Sequence, residues 1–410
     1  MTPNLALLRY ARFMAKYRLI IDTNVYRKNP RRDNLPFSAL SRLCKAGVVK
    51  LFIPHVVLRE FQSQQSIQSK EHLASLVSAA RSLERTPGVP ADLVTTLSDL
   101  ALQLTAREAE VATGTESEFQ GWANDNGATV IELSADQANA AMEAYFKGTA
   151  PLKALKVRKD IPDALIFQAI RSIAAEPLTL LSDDGNFRTA CAEIGNVTAF
   201  ASLEVFIESE GVQDELKELD FFESIGPTVD ALEAFDKETR EFTQAVTQEL
   251  GEALMWKKFT SRSIPDDNHE AAVSGYNEAE DVELDFDEAT YFGGGEFGIP
   301  FTTTILVTGT YYLFKGNLYE TEHREVSLSE HNDHFYEAEE EFELVVSGLL
   351  KVTCDRDGID LAGIDAAIRS ISIDSVDSLQ LAEESSPNSE SDTVLKVKPW
   401  KRQTKIKRFA

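Results

Sequence analysis

The stretch Leu19-Ile20-Ile21-Asp22-Thr23-Asn24 decides how the first half of this chain folds. A short apolar run, the length of a buried parallel strand, stops abruptly in three polar residues that suit a strand's end and the loop after it. In open α/β sheets, ligands gather beyond the carboxyl ends of the strands, so Asp22 stands where chemistry is expected. Taken alone, Asp22 has a plainer reading as a helix N-cap, its oxygen accepting from the free N–H groups of the next helix. The pattern recurs further along, and the recurrence gives it weight.

Working outward, residues 26–34 read as a polar, Arg-rich loop, 35–46 as a helix closed by Gly47, and 49–53 as a second buried strand. A helix then opens with Val56-Val57-Leu58-Arg59-Glu60-Phe61, which puts Glu60 in its early turns. Residues 62–123 read as a helical insertion, two amphipathic helices in a hairpin broken at 87–90. A third strand at 129–133 precedes a Ser134-capped helix. After a basic loop, Pro162 starts a helix with Asp163 at its N-terminal end, where an acid gains a few tenths to about 1 kcal/mol from the helix dipole. The fourth strand, 178–181, again stops in acids, Ser182-Asp183-Asp184-Gly185-Asn186-Phe187, and a fifth strand at 197–200 leads to a last helix. Alternating strands and helices predict a parallel sheet with both faces covered.

The 410 residues exceed one ordinary core, and two domains with a tail are expected. Cys44, Cys191 and Cys354 lie far apart with no metal-ligand spacing, which fits a reducing, cytoplasmic setting better than a disulfide scaffold. No apolar run reaches the length of a bilayer span, and Arg9, Arg12 and Lys16 interrupt the N-terminal segment, so neither a membrane segment nor a secretory signal is expected.

The net charge of −26 is unevenly spread. Residues 1–210 hold 23 Lys+Arg against 24 Asp+Glu, and residues 211–410 hold 18 against 43, so the acidity belongs to the second half. Within the first half, residues 1–32 carry eight basic side chains with Asp22 as the only acid, and Lys147, Lys153, Lys156, Arg158 and Lys159 run up to Asp160 without an acid between. Basic stretches beside acids of interest suit a phosphate-bearing substrate, with Lys153, Lys156, Arg158 and Lys159 as its contacts; the plainer alternative is a solvated helix face and a polar loop.

From these readings the expected organisation is 1–210 as an α/β domain containing the 62–123 insertion, and 211–280 as an acidic helical segment followed by a polar linker from about 260. An antiparallel β-rich domain over 281–375 comes next, with strands at 302–313, 318–326 and 342–352 and a hairpin turn at Gly316-Asn317. Residues 376–410 are expected to be a flexible tail with a basic end.

Four acids thus stand at comparable topological positions: Asp22, Glu60, Asp163 and Asp184. Converging carboxylates repel and raise one another's pKa, and a divalent cation bound by oxygens, Mg²⁺ or Mn²⁺, relieves that repulsion. Ile20-Ile21-Asp22-Thr23-Asn24, Glu60, Asp163-Ala164-Leu165-Ile166 and Ser182-Asp183-Asp184-Gly185-Asn186-Phe187 together resemble the PIN domain family of metal-dependent nucleases over roughly residues 17–208. The resemblance implies a Rossmann-like parallel-sheet domain with a helical insertion, followed by an acidic α+β domain with an antiparallel sheet that has no counterpart in the minimal family. It implies that Asp22, Glu60, Asp163 and Asp184 bind metal and catalyse, with Asp160 and Asp183 as neighbouring acids and Thr23, Asn24 and Ser182 as supporting donors. It further implies an endonuclease that leaves a 5'-phosphate and a 3'-hydroxyl, acting on RNA in preference to DNA.

Two other readings compete. One is a PIN-fold binding or scaffold module without catalysis. The other, an aspartyl-nucleophile phosphohydrolase, needs Asp-x-Asp after the first strand, and here Asn24 stands second from Asp22. His331 and His334 sit among Glu330, Asp333 and Glu337 in what reads as a solvated turn, and Gly293-Gly294-Gly295 lacks the following helix of a phosphate loop. The acidic second half is expected to regulate, to recruit a protein partner or to form a homo-oligomer.

Overall fold

The structure is a computed structural model that describes residues 15–152, 160–220, 225–321, 324–355 and 363–382. The described residues fall into two compact units. The first takes those up to Phe242 together with Asp285–Pro300 and Leu350–Ser375, and the second takes those of Thr243–Leu284, Phe301–Leu349 and from Val376 onward.

The first unit is built on five parallel strands in the order β3-β2-β1-β4-β5: β1 Tyr17–Ile21, β2 Val49–Pro54, β3 Thr129–Ile131, β4 Leu178–Leu181 and β5 Val197–Phe200. Leu19, Ile20, Ile21, Leu51, Ile53, Leu180 and Leu181 have no exposed surface, as continuous apolar strands require when helices cover both faces. Each such side chain contributes about 1.5–3 kcal/mol by leaving water. The strand order reverses at the β1–β4 pair, in register at Ile21↔Leu181, which places the ligand crevice of such a sheet at the ends of these two strands.

The connections are α1 Thr23–Lys28, α2 Leu35–Lys45, α3 His55–Glu84, α4 Ala91–Ala106, α5 Glu108–Asp125, α6 Ala135–Lys147, α7 Ile161–Ile173, α8 Gly185–Ala192, α9 Leu203–Ile207, α10 Glu210–Leu219 and α11 Gly226–Thr239. Two expectations are corrected. The stretch 26–34 is not all loop, because Asp22 caps a short helix that runs to Lys28. The insertion is three helices, since the return arm of the hairpin breaks at Arg107 and both α4 and α5 pack on the 30-residue α3. No side chain caps that break, and propensity alone did not mark it.

The root of the insertion is fixed by aromatic packing. Tyr26 meets Phe37, Phe61, Phe119 and Trp122 at centroid distances of 6.0, 5.8, 5.1 and 5.8 Å. The Arg32 guanidinium lies over Phe61, Phe119 and Trp122 and pairs with Glu118, with its side chain fully buried. A cation consumed in this way is unavailable to a substrate.

Chain distant in sequence completes the first unit. β9, Thr290–Gly293, turns through Gly293, Gly294 and Gly295, whose φ values of +86°, +66° and +81° only glycine adopts readily. A Cβ on Gly294 would lie 2.5 Å from an Arg42 nitrogen. The turn is held on Asp220, whose Oδ2 accepts from Gly294 N and Tyr291 Oη, both at 2.9 Å, while Oδ1 pairs with Arg42 at 2.7 Å. Asp374 Oδ1 accepts from Leu35 N at 3.0 Å, at the start of α2.

The eight-stranded sheet comprises β6 Lys258–Thr260, β7 Glu270–Tyr276, β8 Glu280–Leu284, β9, β10 Glu296–Phe314, β11 Val326–Glu330, β12 Phe335–Cys354 and β13 Ile368–Leu381. Its path is β11-β12-β10-β7-β6, with β13 on β12 and β8 and β9 on β10. Preceding β6 is α12, Glu241–Leu254, and α13, Ile364–Ala367, precedes β13. In the second unit, burial alternates along β10, with Ile305, Val307, Tyr311 and Leu313 inward. Gly309 lets Phe342 and Phe259 close over the strand, since a Cβ there would sit 2.7 and 3.1 Å from those rings. Residues 260–280, read from sequence as linker, contain β7, whose small residues Ala271, Ser274 and Gly275 gave little signal. Residues 315–321 form a 3-10 turn and β11 starts only at Val326, so the described part of 318–326 is not one strand.

Candidate active site

Every described acid of interest lies in the first unit, at the carboxyl edge of the parallel sheet. Asp22 N donates to Leu181 O at 2.9 Å, so the β1–β4 ladder extends to Asp22 itself. The Asp22 side chain is 6% exposed. Its Oδ1 accepts from Thr23 N at 2.7 Å, capping α1, and its Oδ2 accepts from Ser182 Oγ at 2.7 Å. The capping reading and the chemical reading therefore coexist at one residue.

Ser182 is fully buried at the end of β4 and uses its hydroxyl completely. It donates to Asp22 and accepts from Asn24 Nδ2 and Asp184 N, both at 3.3 Å. Asn24 returns from α1 to accept Asp183 N on its Oδ1 at 3.2 Å. These bonds bind the two strand ends into one polar loop pair.

Glu60 enters from the second turn of α3, which follows β2 directly. Its Oε2 accepts from Thr23 Oγ1 at 2.7 Å and its Oε1 from Gln64 Nε2 at 3.2 Å. Asp184 caps α8, its Oδ1 accepting from Asn186 N and Phe187 N at 2.7 and 2.9 Å. Asp183 next to it is exposed and pairs with Lys28 at 3.0 Å. Asp163 sits in the first turn of α7, and Asp160 at that helix's N-cap position.

Electrostatics brings the acids together. Burial pushes the Asp163 carboxyl up to about 7, and the charges of Asp22, Asp184, Glu60 and Asp160 add to the shift. Asp22 is raised as well, first by burial and then by Glu60 and Asp184, against the lowering effect of its Ser182 and Thr23 bonds. Mutual repulsion of this kind is what a cation would relieve. Among the described residues, however, no three His, Cys, Asp or Glu side chains stand close enough to enclose an ion as placed. The donor chemistry still fits Mg²⁺, which is commonly held by one or two carboxylates plus waters and substrate phosphate oxygens instead of an all-protein cage. Cys191, buried beside Asp22 and Asp163, is pushed up to about 12, mainly by burial, and is no nucleophile.

Two residues that sequence reasoning passed over support the site. Arg188 Nη1 donates to Ser182 O and Asp183 O at 2.6 and 2.8 Å, clamping the β4–α8 turn, and Gln64 holds Glu60. Each lies four residues after its acid, Arg188 after Asp184 and Gln64 after Glu60, the spacing that makes helix neighbours. Lys153, Lys156, Arg158 and Lys159 lie outside the described residues.

Compared with known families, residues 19–187 match the model of the PIN domain. No curated protein and no solved structure matches the chain.

Proposed function

Residues 19–187 belong to the PIN domain family, a nuclease-type fold, and from that premise we propose that the protein is a metal-dependent endonuclease acting on RNA in preference to DNA. The observation that carries this reading is the convergence of negative charge at the β1–β4 switch point, where the Asp163 carboxyl is pushed up to about 7. In this reading Asp22, Glu60, Asp163 and Asp184 hold one or two Mg²⁺ or Mn²⁺ ions, with Asp160 and Asp183 at the margin. Bound there, such ions would make water nucleophilic at neutral pH and stabilise the departing 3' oxygen in an in-line displacement, leaving a 5'-phosphate.

The chain's own residues set the geometry. Ser182 fixes one oxygen of Asp22 and Thr23 fixes one oxygen of Glu60, so both carboxylates are oriented before any ligand arrives. Arg188 and Asn24 hold the loop that presents Asp184. Asp163 must release the proton that its neighbours favour, so cation affinity rises with pH through neutrality. Catalysis is assigned to residues 1–210, and regulation or partner binding to residues 281–375.

A second reading is a PIN-fold binding module without catalysis, which needs the fold but no bound metal. Cleavage of labelled single-stranded RNA, single-stranded DNA and duplex, each with Mg²⁺, Mn²⁺ or EDTA, separates the two. Metal-dependent cutting of RNA that EDTA stops supports the nuclease. Failure to cut any substrate in either metal, with unaltered nucleic-acid binding, supports the module. Among the described residues no helix is long and apolar enough to cross a membrane.

A further inference from the structure

The helical insertion contains a groove of about 630 Å³, walled by α3 on one side and by the α4–α5 arm on the other. Its polar lining includes Lys70, Arg81 and Arg85 with the hydroxyls of Ser78, Ser82 and Thr105, and its one acid is Glu108. All three cations are exposed, and none has an ion-pair or hydrogen-bond partner among the described residues. Some basic side chains of this unit are engaged instead, as Arg32 is by Glu118 and aromatic rings, Arg42 by Asp220 and Lys28 by Asp183.

At 100° per residue, Lys70 and Arg81 on α3 and Arg85 at its C-cap fall within an arc of about 60°, and Glu60 points to the same side of the helix. With a rise of 1.5 Å per residue, Lys70 stands about 15 Å and Arg81 about 31 Å along the axis from Glu60. A phosphorylated small molecule cannot touch cations so far apart. A polymer with a charge at every repeat can touch all three and still reach Glu60.

We propose that this groove is a phosphodiester-backbone rail, which grips a single-stranded RNA at a distance from the carboxylate cluster where that strand is cut. The proposal rests on the nuclease reading for the cutting, and on the unpaired cations alone for the grip. Such contacts position a strand without reading its bases, so the rail is indifferent to sequence. It also gives the insertion a task that the sheet edge cannot perform, holding substrate several nucleotides from the scissile bond.

The test uses the full chain in three forms: wild type, Lys70→Ala/Arg81→Ala/Arg85→Ala, and the charge-keeping Lys70→Arg/Arg81→Lys/Arg85→Lys. Binding of a long single-stranded RNA homopolymer is followed by fluorescence anisotropy in EDTA across a salt series, and cleavage of a dinucleotide is followed in Mg²⁺. The alanine form should lose roughly two units of the slope of log affinity against log salt, three phosphate contacts at about 0.7 each, while the charge-keeping form retains the slope. Dinucleotide cleavage and the thermal melt should be the same in all three. An unchanged slope in the alanine form overturns the rail, and so does an equal loss of dinucleotide cleavage, which would make the three residues part of the catalytic fold. If polyglutamate of matched charge displaces the RNA as readily as RNA itself does, the groove takes acidic protein and the proposal also fails. If the wild type cuts nothing while the slope difference holds, the nuclease reading falls and the rail stands.

Discussion

The parallel sheet of the first unit and the antiparallel sheet of the second treat their enclosed carboxylates in opposite ways. At the edge of the parallel sheet, Asp22 is 6% exposed and has hydrogen bonds but, among the described residues, no cationic partner, and Asp163 is pushed up to about 7 by burial and by other acids. In the antiparallel sheet, Glu340 has a side chain 12% exposed and is met by a two-pronged Arg324 at 2.7 and 2.8 Å and by Tyr311 Oη at 3.0 Å. The second arrangement is complete as it stands. The first holds repulsion that an added positive charge would relieve, and that is the contrast between the proposed site and a structural pair in a chain with acids almost everywhere.

The strongest attack on this comparison is Asp22→Asn or Asp184→Asn. Each should lower metal-dependent cleavage about a hundred- to a thousandfold, the scale seen when one electrostatic stabiliser of a reacting centre is lost. Asp22→Asn should also raise the melting temperature in EDTA, since it removes an uncompensated charge. Unchanged cleavage by both variants would abolish the assigned site. In the other sheet, Glu340→Ala should leave cleavage alone and cost about 2 kcal/mol in a urea melt, because Arg324 and Tyr311 lose their acceptor. A neutral Glu340→Ala would erase the contrast.

The pH dependence is the next test. A carboxyl near 4 in the unfolded chain and near 7 in the fold binds more protons when folded across that interval, so metal-free stability falls as pH rises from about 4 to about 7. Melts in EDTA at pH 5 and pH 8 should show this fall, Asp163→Asn should flatten it, and saturating Mg²⁺ should restore stability at pH 8 by mass action. The smallest effect is expected at Lys28→Ala, which breaks an exposed pair with Asp183 and should change stability by less than about 0.5 kcal/mol. Run beside it, Asp183→Asn should be nearly silent in cleavage where Asp184→Asn is not.

Much of the first sheet was legible because its strands are short, apolar and punctuated by acids, and the bounds of β4 and β5 follow directly from Leu178–Leu181 and Val197–Phe200. Ser134 marked the start of α6 by its capping chemistry. What escaped was set by tertiary context. The strand β7 carries Ala271, Ser274 and Gly275 in place of β-branched residues, because it lies against other chain: Gly275 has Thr308 side-chain atoms at 3.1 and 3.3 Å from where a Cβ would be. The acids Asp22 and Asp184 could be picked out, but the Ser182 bond that orients Asp22 and the Asn24–Ser182 bond beside it run between residues about 160 apart and leave no local pattern.

The Asp220 node bears on when the protein becomes itself. Arg42 and Asp220 wait for Gly294 and Tyr291, and the start of α2 waits for Asp374, so the first unit gains its last contacts only after more than a hundred further residues have been added behind Asp220. At the pace of synthesis, roughly 5–20 residues each second, that interval lasts on the order of ten seconds or more. Through it the emerging chain carries the acids of the sheet edge on a support still unfinished, beside whatever messages and transfer RNAs surround the ribosome. On the nuclease reading proposed above, a scaffold that closes so late would keep cutting activity from maturing while most of the chain is still being made.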